Sequence, residues 1–365
     1  MSQIQKEMAA RLAKLPPDLP LDEDEDEEAA DGLGALGQRN ASSTRKSTAQ
    51  YTPLSGQEYF SEALEVETDP GCFFRVYYTP PAQSGTENTI FVFHQGAGYT
   101  GLSFACLARQ LTRLSRGKLG VLSFDARAHG KTRIEDGSEY DMSLDTLTND
   151  LTSILDKMFS GQSTKTKFIL AGHSMGGSVC ANAVAPVTER VQNASVIGLC
   201  VLDAVEGTAM DALPAMAGIV KNNPDSFATL SDAIAWHVNN KVIRNAESAR
   251  VSVPSMVLER NGRWEWRTDL LRSEPYWSDW FNGLSTKFIS AKAAKLLVLA
   301  GADKLDTPLM IAQMQGKFQL SVVQNVGHCL QEDDPARVAD ILYAFYDRYF
   351  GQAVDLSKIK KVGEV

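Results

Sequence analysis

The sequence predicts an α/β fold: a mostly parallel, doubly wound sheet with a short antiparallel start and a helical insertion. Three observations point there. Short, almost continuously apolar runs recur along the chain ("TIFVFH", "LGVLSFD", "KFILAG", "VIGLCVLD", "KLLVLAG" and "QLSVVQ"). Strands apolar on both faces are what a parallel sheet covered by helices requires. Helix-patterned segments such as "SFACLARQLTRLS", "LTNDLTSILDKMF" and "ARVADILYAFYDRYF" lie between them, which gives the strand–helix alternation of this class. The third observation is a break in that rhythm. No buried parallel strand is evident between Val205 and about Ser290, and all five tryptophans fall in that interval.

The elements follow in order. Residues 1–50 combine an uninterrupted acidic run, Asp22 to Glu28, with the polar stretch "GQRNASSTRKSTAQ". Such a segment cannot bury enough apolar surface to offset its ordering entropy, so a disordered acidic tail is expected. Residues 51–350 read as one α/β domain and 351–365 as a C-terminal tail. "YFSEALEVET" and "CFFRVYYT" are of β-type composition and are split by "DPG", which predicts an opening antiparallel hairpin. The interval 205–290 is helical in places ("LSDAIAWHVNN"). It is expected to form a lid or cap over the sheet end at which ligands of open α/β sheets bind.

Composition narrows the function. A hydrophobic fraction of 44% over 365 residues is enough for a sizeable core. Most of the net charge of −9 sits in the acidic run, and no basic stripe appears, which argues against nucleic acid as a partner. No apolar stretch approaches the roughly 20 residues of a membrane helix. "MSQIQKEMAARLAKLPPDLP" lacks the apolar core of a signal peptide. The cysteines (Cys72, Cys106, Cys180, Cys200, Cys329) sit mostly in apolar runs without CxxC spacing, as reduced core residues would. A cytoplasmic or nuclear enzyme without a metal site is the expectation.

The chemistry is carried by "KFILAGHSMGGSVC". Gly172-His173-Ser174-Met175-Gly176 follows a strand and precedes a helix, the context in which G-x-S-x-G becomes a nucleophile elbow of the α/β-hydrolase fold. A serine on so sharp a turn has a strained backbone, and side chains two residues to either side would collide with strand and helix. Its hydroxyl stands clear of the sheet, and the Met175 amide can face a developing oxyanion. A second donor should follow an earlier strand. "TIFVFHQGAGYTGLSF" provides His94-Gln95-Gly96-Ala97-Gly98 there, with the Ala97 N–H as the candidate. In "FDARAHGKT", Asp125, Arg127 and His129 read as groups that brace a loop.

Serine attack needs a base matched to neutral pH. Of five histidines, His173 adjoins the serine with its side chain aimed elsewhere, and His94 and His129 come too early. His237 lies in the insertion. His328, in "QLSVVQNVGHCLQEDDP", follows the last strand in a glycine-marked loop, where the chain order Ser…Asp/Glu…His places the base. The acid stays open at this level. Asp303 and Asp306 follow the next-to-last strand in "KLLVLAGADKLDTP", whereas Asp203, with Glu206 close by, ends the strand before it. Spacing alone favours Asp306 over Asp203.

Beyond the elbow, the chain from about residue 55 to 348 resembles the protein phosphatase methylesterases. The resemblance rests on "GHSMGG", "GLCVLDAVEGTAMDAL", "AIAWHVNNKVIRNAESARVSVPSMV", "EPYWSDWFNGLS", "LLVLAGADKLD", "MQGKFQL" and "GHCLQEDDP". That family consists of serine esterases that remove the methyl ester from the C-terminal leucine of the protein phosphatase 2A catalytic subunit. The resemblance implies that the acid is the aspartate heading the VEGTAM stretch, Asp203, completing a triad with Ser174 and His328. It leaves Asp306 a supporting role. It also implies a phosphatase partner, as the methylated catalytic subunit or its core enzyme, and no cofactor. The glycine-rich "HQGAGYTG" departs from the HGGG-like loop usual in the family. Two other readings fit the same residues: a general carboxylesterase for small molecules, and a hydrolase-fold protein that mainly binds and sequesters inactive phosphatase.

Overall fold

The computed structural model describes residues 48–82, 86–301 and 305–351. The expected acidic tail lies outside these residues apart from Thr48–Gln50, which begin a short 3-10 turn. The C-terminal tail beyond Gly351 lies outside them as well, as does Asp303.

Strands β1 (Glu62–Glu67) and β2 (Cys72–Thr79) form the antiparallel hairpin, with Glu62 opposite Tyr78 and Glu67 opposite Phe73. Gly71 takes φ +83° in the turn between them. There follow β3 (Glu87–His94), helix α1 (Ala105–Leu114), β4 (Leu119–Phe124), β5 (Arg133–Ile134), α2 (Leu144–Phe159), β6 (Lys165–His173), α3 (Met175–Arg190) and β7 (Ala194–Leu202). The insertion contains α4 (Glu206–Lys221), β8 (Ser226–Phe227), α5 (Leu230–Asn239), α6 (Ala246–Met256), β9 (Val257–Arg260), β10 (Arg263–Trp266), α7 (Trp277–Phe281) and α8 (Leu284–Ser290). The chain then returns to the sheet through β11 (Ala294–Ala300), α9 (Thr307–Met314), β12 (Gln319–Val323), α10 (Leu330–Asp333) and α11 (Pro335–Tyr346).

The main sheet runs β1-β2-β4-β3-β6-β7-β11-β12, with β5 beside β2. Pairing is antiparallel through β2–β4 and parallel from β4 to β12. Alternation within single strands shows why the runs are apolar throughout. Ile90 and Val92 of β3 enter one core with Leu151, Ile154, Val179 and Val184 of α2 and α3. Phe91 and Phe93 enter the opposite core with Leu107 of α1 and Leu342 and Phe345 of α11. Two layers of helices therefore cover the two faces.

The insertion has a small core of its own around Phe227, Ile234, Ile243, Ala249, Val253 and Val257. It also holds a three-stranded antiparallel sheet, β8-β10-β9, that the helical expectation left out. Its hairpin turns on Asn261 and Gly262, both at positive φ (51° and 75°), the pattern of a two-residue Asn-Gly turn. The tryptophans divide. Trp236, Trp264 and Trp266 pack in the insertion's core, whereas Trp277 and Trp280 are buried in the main core. Trp280 Nε1 donates to the Met142 carbonyl at 2.7 Å. These two rings hold the insertion to the sheet. Among the described residues no helix is long and apolar enough to cross a membrane.

Candidate active site

The parallel strands β3, β6, β7, β11 and β12 all end at one edge, and the loops leaving that edge carry the predicted residues. Ser174 sits between β6 and α3 with φ 51° and ψ −123°, a region that costs a non-glycine residue roughly 1–3 kcal/mol. The flanking glycines permit the turn. A Cβ on Gly172 would lie 1.9 Å from the Gly176 carbonyl oxygen, and one on Gly176 would lie 2.3 Å from that of His94. The bend is pinned by Ser174 N–H donating to the Leu202 carbonyl at 3.0 Å and Gly177 N–H donating to that of Ser174 at 2.8 Å. Met175 opens α3, and the amides of a first helical turn have no intrahelical partner.

The loop after β3 lies directly against the serine. A Cβ on Gly96 would be 3.2 Å from Ser174 Cβ and 2.8 Å from His173 Nδ1. Ala97, the predicted second donor, is the next residue. The loop is held from behind, because Gly98 N–H donates to His129 Nε2 at 2.8 Å. That acceptor role places the His129 proton on Nδ1, which donates to the Arg127 carbonyl at 2.7 Å. Burial pushes the His129 pKa down to about 4 and keeps the ring neutral. Arg127 in turn forms a two-pronged ion pair with Asp150, at 2.6 and 2.7 Å. Asp125 accepts from Gly101 N–H, Lys131 N–H and Tyr77 O–H. All three residues of "FDARAHGKT" singled out in the sequence therefore brace the loop.

His328 leaves the loop after β12 and meets Asp203 at the end of β7. His328 Nδ1 is 2.7 Å from Asp203 Oδ2, and Asp203 Oδ1 accepts the Ala300 amide of β11 at 2.8 Å. An ionised carboxylate only accepts, so the shared proton is on Nδ1 and the Nε2 lone pair is left for the serine. Asp203 itself has φ 52° and donates its amide to the Val298 carbonyl at 2.7 Å. The turn directs its side chain back over β11. Among the described residues Ser174 Oγ forms no hydrogen bond with His328, a contact that such sites tighten when substrate arrives.

The other candidate acids are engaged elsewhere. Asp306 caps α9 by accepting Leu309 N–H at 3.0 Å, and its second oxygen meets Ser285 Oγ at 2.5 Å. Glu206 accepts the Gly283 and Ser285 amides at the start of α8, at 2.9 and 3.0 Å. His173, expected to point away from the serine, has a structural partner the sequence did not reveal: its Nε2 donates to the His328 carbonyl at 2.8 Å. Burial holds that ring neutral, well below the usual histidine range, with His328 nearby as a second cause.

No group of three His, Cys, Asp or Glu side chains among the described residues could hold a metal ion. A surface hollow of about 600 Å³ between α2 and α3, lined by Asp145, Asn149, Asn182 and Arg190, contains none of the residues above. What the assembled loops can do is acyl transfer: a strained serine, a histidine held in one tautomer by a fixed carboxylate, and amides facing the serine.

Comparison with known proteins agrees with this geometry. The model of the Alpha/beta hydrolase family matches residues 90–341. A relative from Cryptococcus neoformans named protein phosphatase methylesterase 1 is 41% identical, over 90% of this chain and 86% of its own. Relatives with the same name from Aspergillus fumigatus (39%, over 95% of this chain and 89% of its own) and Schizosaccharomyces pombe (42%, over 80% and 84%) are similar to the same extent. Among solved structures, E-2-(acetamidomethylene)succinate hydrolase superposes with a TM-score of 0.60 at 18% identity, over 78% of this chain and 99% of its own. A Mycobacterium tuberculosis esterase does so with a TM-score of 0.56 at 17% identity, over 78% and 92%. At such identities these two speak for the fold alone.

Proposed function

The chain belongs to the protein phosphatase methylesterase family of α/β hydrolases, and from that premise we propose that it hydrolyses a methyl ester on a protein phosphatase, the C-terminal leucine ester of the 2A catalytic subunit. It is a carboxylic ester hydrolase. The single observation that carries the mechanism is the Asp203–His328 pair, 2.7 Å apart beside the strained Ser174.

In this reading His328 Nε2 takes the Ser174 proton as Oγ attacks the ester carbonyl. Asp203 keeps the ring in its tautomer and stabilises the imidazolium. The Met175 and Ala97 amides hold the oxyanion, each contributing about 3 kcal/mol. His328 returns the proton to the leaving oxygen and methanol departs. Water activated by the same histidine then hydrolyses the acyl-serine, restoring Ser174 and freeing the carboxylate. The sequence of steps uses no metal or organic cofactor.

The insertion has a core of its own and is bonded to the segments after β3 and β12, and it is the surface we assign to the phosphatase. Five buried free thiols support a reducing compartment, cytoplasm or nucleus, which imaging of the tagged chain would test. The deciding experiment compares methanol release from methylated phosphatase 2A with cleavage of simple esters. Turnover of simple esters alone would favour a general carboxylesterase. Stoichiometric binding without turnover would favour sequestration.

A further inference from the structure

Four residues beyond His328 lies a carboxyl group that the proposed mechanism does not use. Glu332, in α10, is wholly buried. Its Oε2 meets Ser252 Oγ at 2.6 Å, and its main-chain carbonyl accepts Ser248 Oγ at 2.8 Å. Ser248 and Ser252 are one turn apart on α6, so both project from one face of that helix of the insertion. The amide of Glu332 closes a turn onto the Cys329 carbonyl at 2.8 Å, next to the histidine.

The neighbouring residue repeats the connection. Asp333 accepts Arg244 N–H from the insertion on one oxygen and Gly327 N–H on the other, both at 2.7 Å. Gly327 immediately precedes His328. At its far end α6 also reaches the loop after β3, through Ser255 Oγ and Thr100 Oγ1 at 2.8 Å. One helix of the insertion is thus bonded both to the segment carrying the base and to the segment following the oxyanion loop.

We propose that Glu332 is a positioning residue for His328, fastening the loop that carries the base to helix α6 of the insertion. It works as an uncharged acid. Its Oε1 has no partner, and the groups that face it are Cys329 and Asp333 on its own segment, Tyr99 from the loop after β3, and Cys106 from α1. Arg109 is paired with Glu247 near Cys106, and Arg244 is engaged with Asp333. Among the described residues no cation bonds the carboxyl group, so burial, opposed by the Ser252 hydrogen bond and aided by the Asp333 charge, holds it protonated, well above the usual carboxylate range. A neutral acid can join two elements without the cost of a buried unpaired charge.

The inference rests on the reading of Ser174, Asp203 and His328 as the triad. Its test uses the full-length chain, a p-nitrophenyl ester and the rate of fluorophosphonate labelling of Ser174. Glu332→Ala is expected to lower kcat per folded molecule about 10-fold with KM nearly unchanged, and labelling in parallel, because a small displacement of the base costs turnover more than binding. Glu332→Gln, the same shape without a charge, is expected to recover most of that loss and to follow the wild-type pH profile from about pH 6 to 8. Unchanged kcat in Glu332→Ala, or a mere loss of melting temperature, overturns the positioning role. A Gln variant as impaired as Ala overturns the neutral acid. Should Glu332→Ala fail to fold, Ser248→Ala/Ser252→Ala releases the same joint from the α6 side, and full activity there also overturns the proposal. An active Ser174→Ala would instead sink the triad reading itself, so the two failures are distinct.

Discussion

Asp203 holds His328 through one carboxylate oxygen, at 2.7 Å, while the Ala300 amide fixes the other at 2.8 Å. The acid is therefore immobilised by a strand it does not belong to, and the imidazole inherits that orientation. An aspartate bonded on one side only could swing, and the histidine tautomer would not be specified.

Replacing Asp203 with Asn places an N–H where Nδ1 needs an acceptor and forces the unproductive tautomer, so kcat on a simple ester should fall about 10⁴-fold. Asp306→Asn should leave kcat within a few-fold and cost at most about 1 kcal/mol from the weakened α9 cap. Steady-state kinetics with thermal melts on both variants decides. An inactive Asp306→Asn beside an active Asp203→Asn reverses the assignment of the acid.

Gly96→Ala tests the oxyanion loop. The added methyl meets His173 Nδ1 at 2.8 Å and Ser174 Cβ at 3.2 Å, so the loop must withdraw from the serine. The loss expected is about 10²-fold in kcat, the size seen when one donor is removed, with little change in KM. Wild-type kcat would mean that no donor resides on this loop.

Arg127 supports the same loop from a distance. Arg127→Met leaves the Asp150 carboxylate buried without its partner, which should cost roughly 3–5 kcal/mol of stability. Denaturant unfolding measures that. Activity per folded molecule should persist, and its abolition would make Arg127 more than a brace.

His237 gives the pH signature. Burial lowers its pKa from 6.5 to about 4, against the opposing bond from Nδ1 to the Ala233 carbonyl. Between those values the unfolded chain binds a proton that the native chain refuses, so this group's contribution is present above pH 6.5 and lost as pH falls toward 4. The slope from this one group is at most about 1.4 kcal/mol per pH unit. His237→Gln should reduce the slope in that window by this one group's share, read from urea midpoints, and leave the share of the other buried histidines, His94, His129 and His173. An unaltered slope would show that His237 already takes up its proton in the native state.

Much of this is legible in the sequence, for physical reasons that differ by element. The opening hairpin was announced by "DPG" between two β-rich runs, and the elbow by glycines that no side chain can replace. The acid was not legible from spacing, because Asp203 and Asp306 both leave the same sheet edge, and only the turn at Asp203 brings a carboxylate over β11. One cue pointed the right way: "DTPLM" is a helix cap followed by proline, which gives Asp306 a structural occupation. The β9–β10 hairpin had a comparable signal in Asn261-Gly262, which the helical expectation passed over. The bonds from His173 to His328 and from His129 to Gly98 join segments about 155 and 31 residues apart, and nothing local in the sequence encodes them.

The most direct measurement of the central claim is methanol released from phosphatase 2A carrying the methylated C-terminal leucine, with wild type and Ser174→Ala side by side. The account predicts one methanol per demethylated catalytic subunit from wild type, and release from Ser174→Ala reduced by about 10⁵-fold or more. Wild-type protein that cleaves simple esters but releases no methanol from the phosphatase would contradict the proposed substrate, and comparable release from Ser174→Ala would contradict the proposed nucleophile.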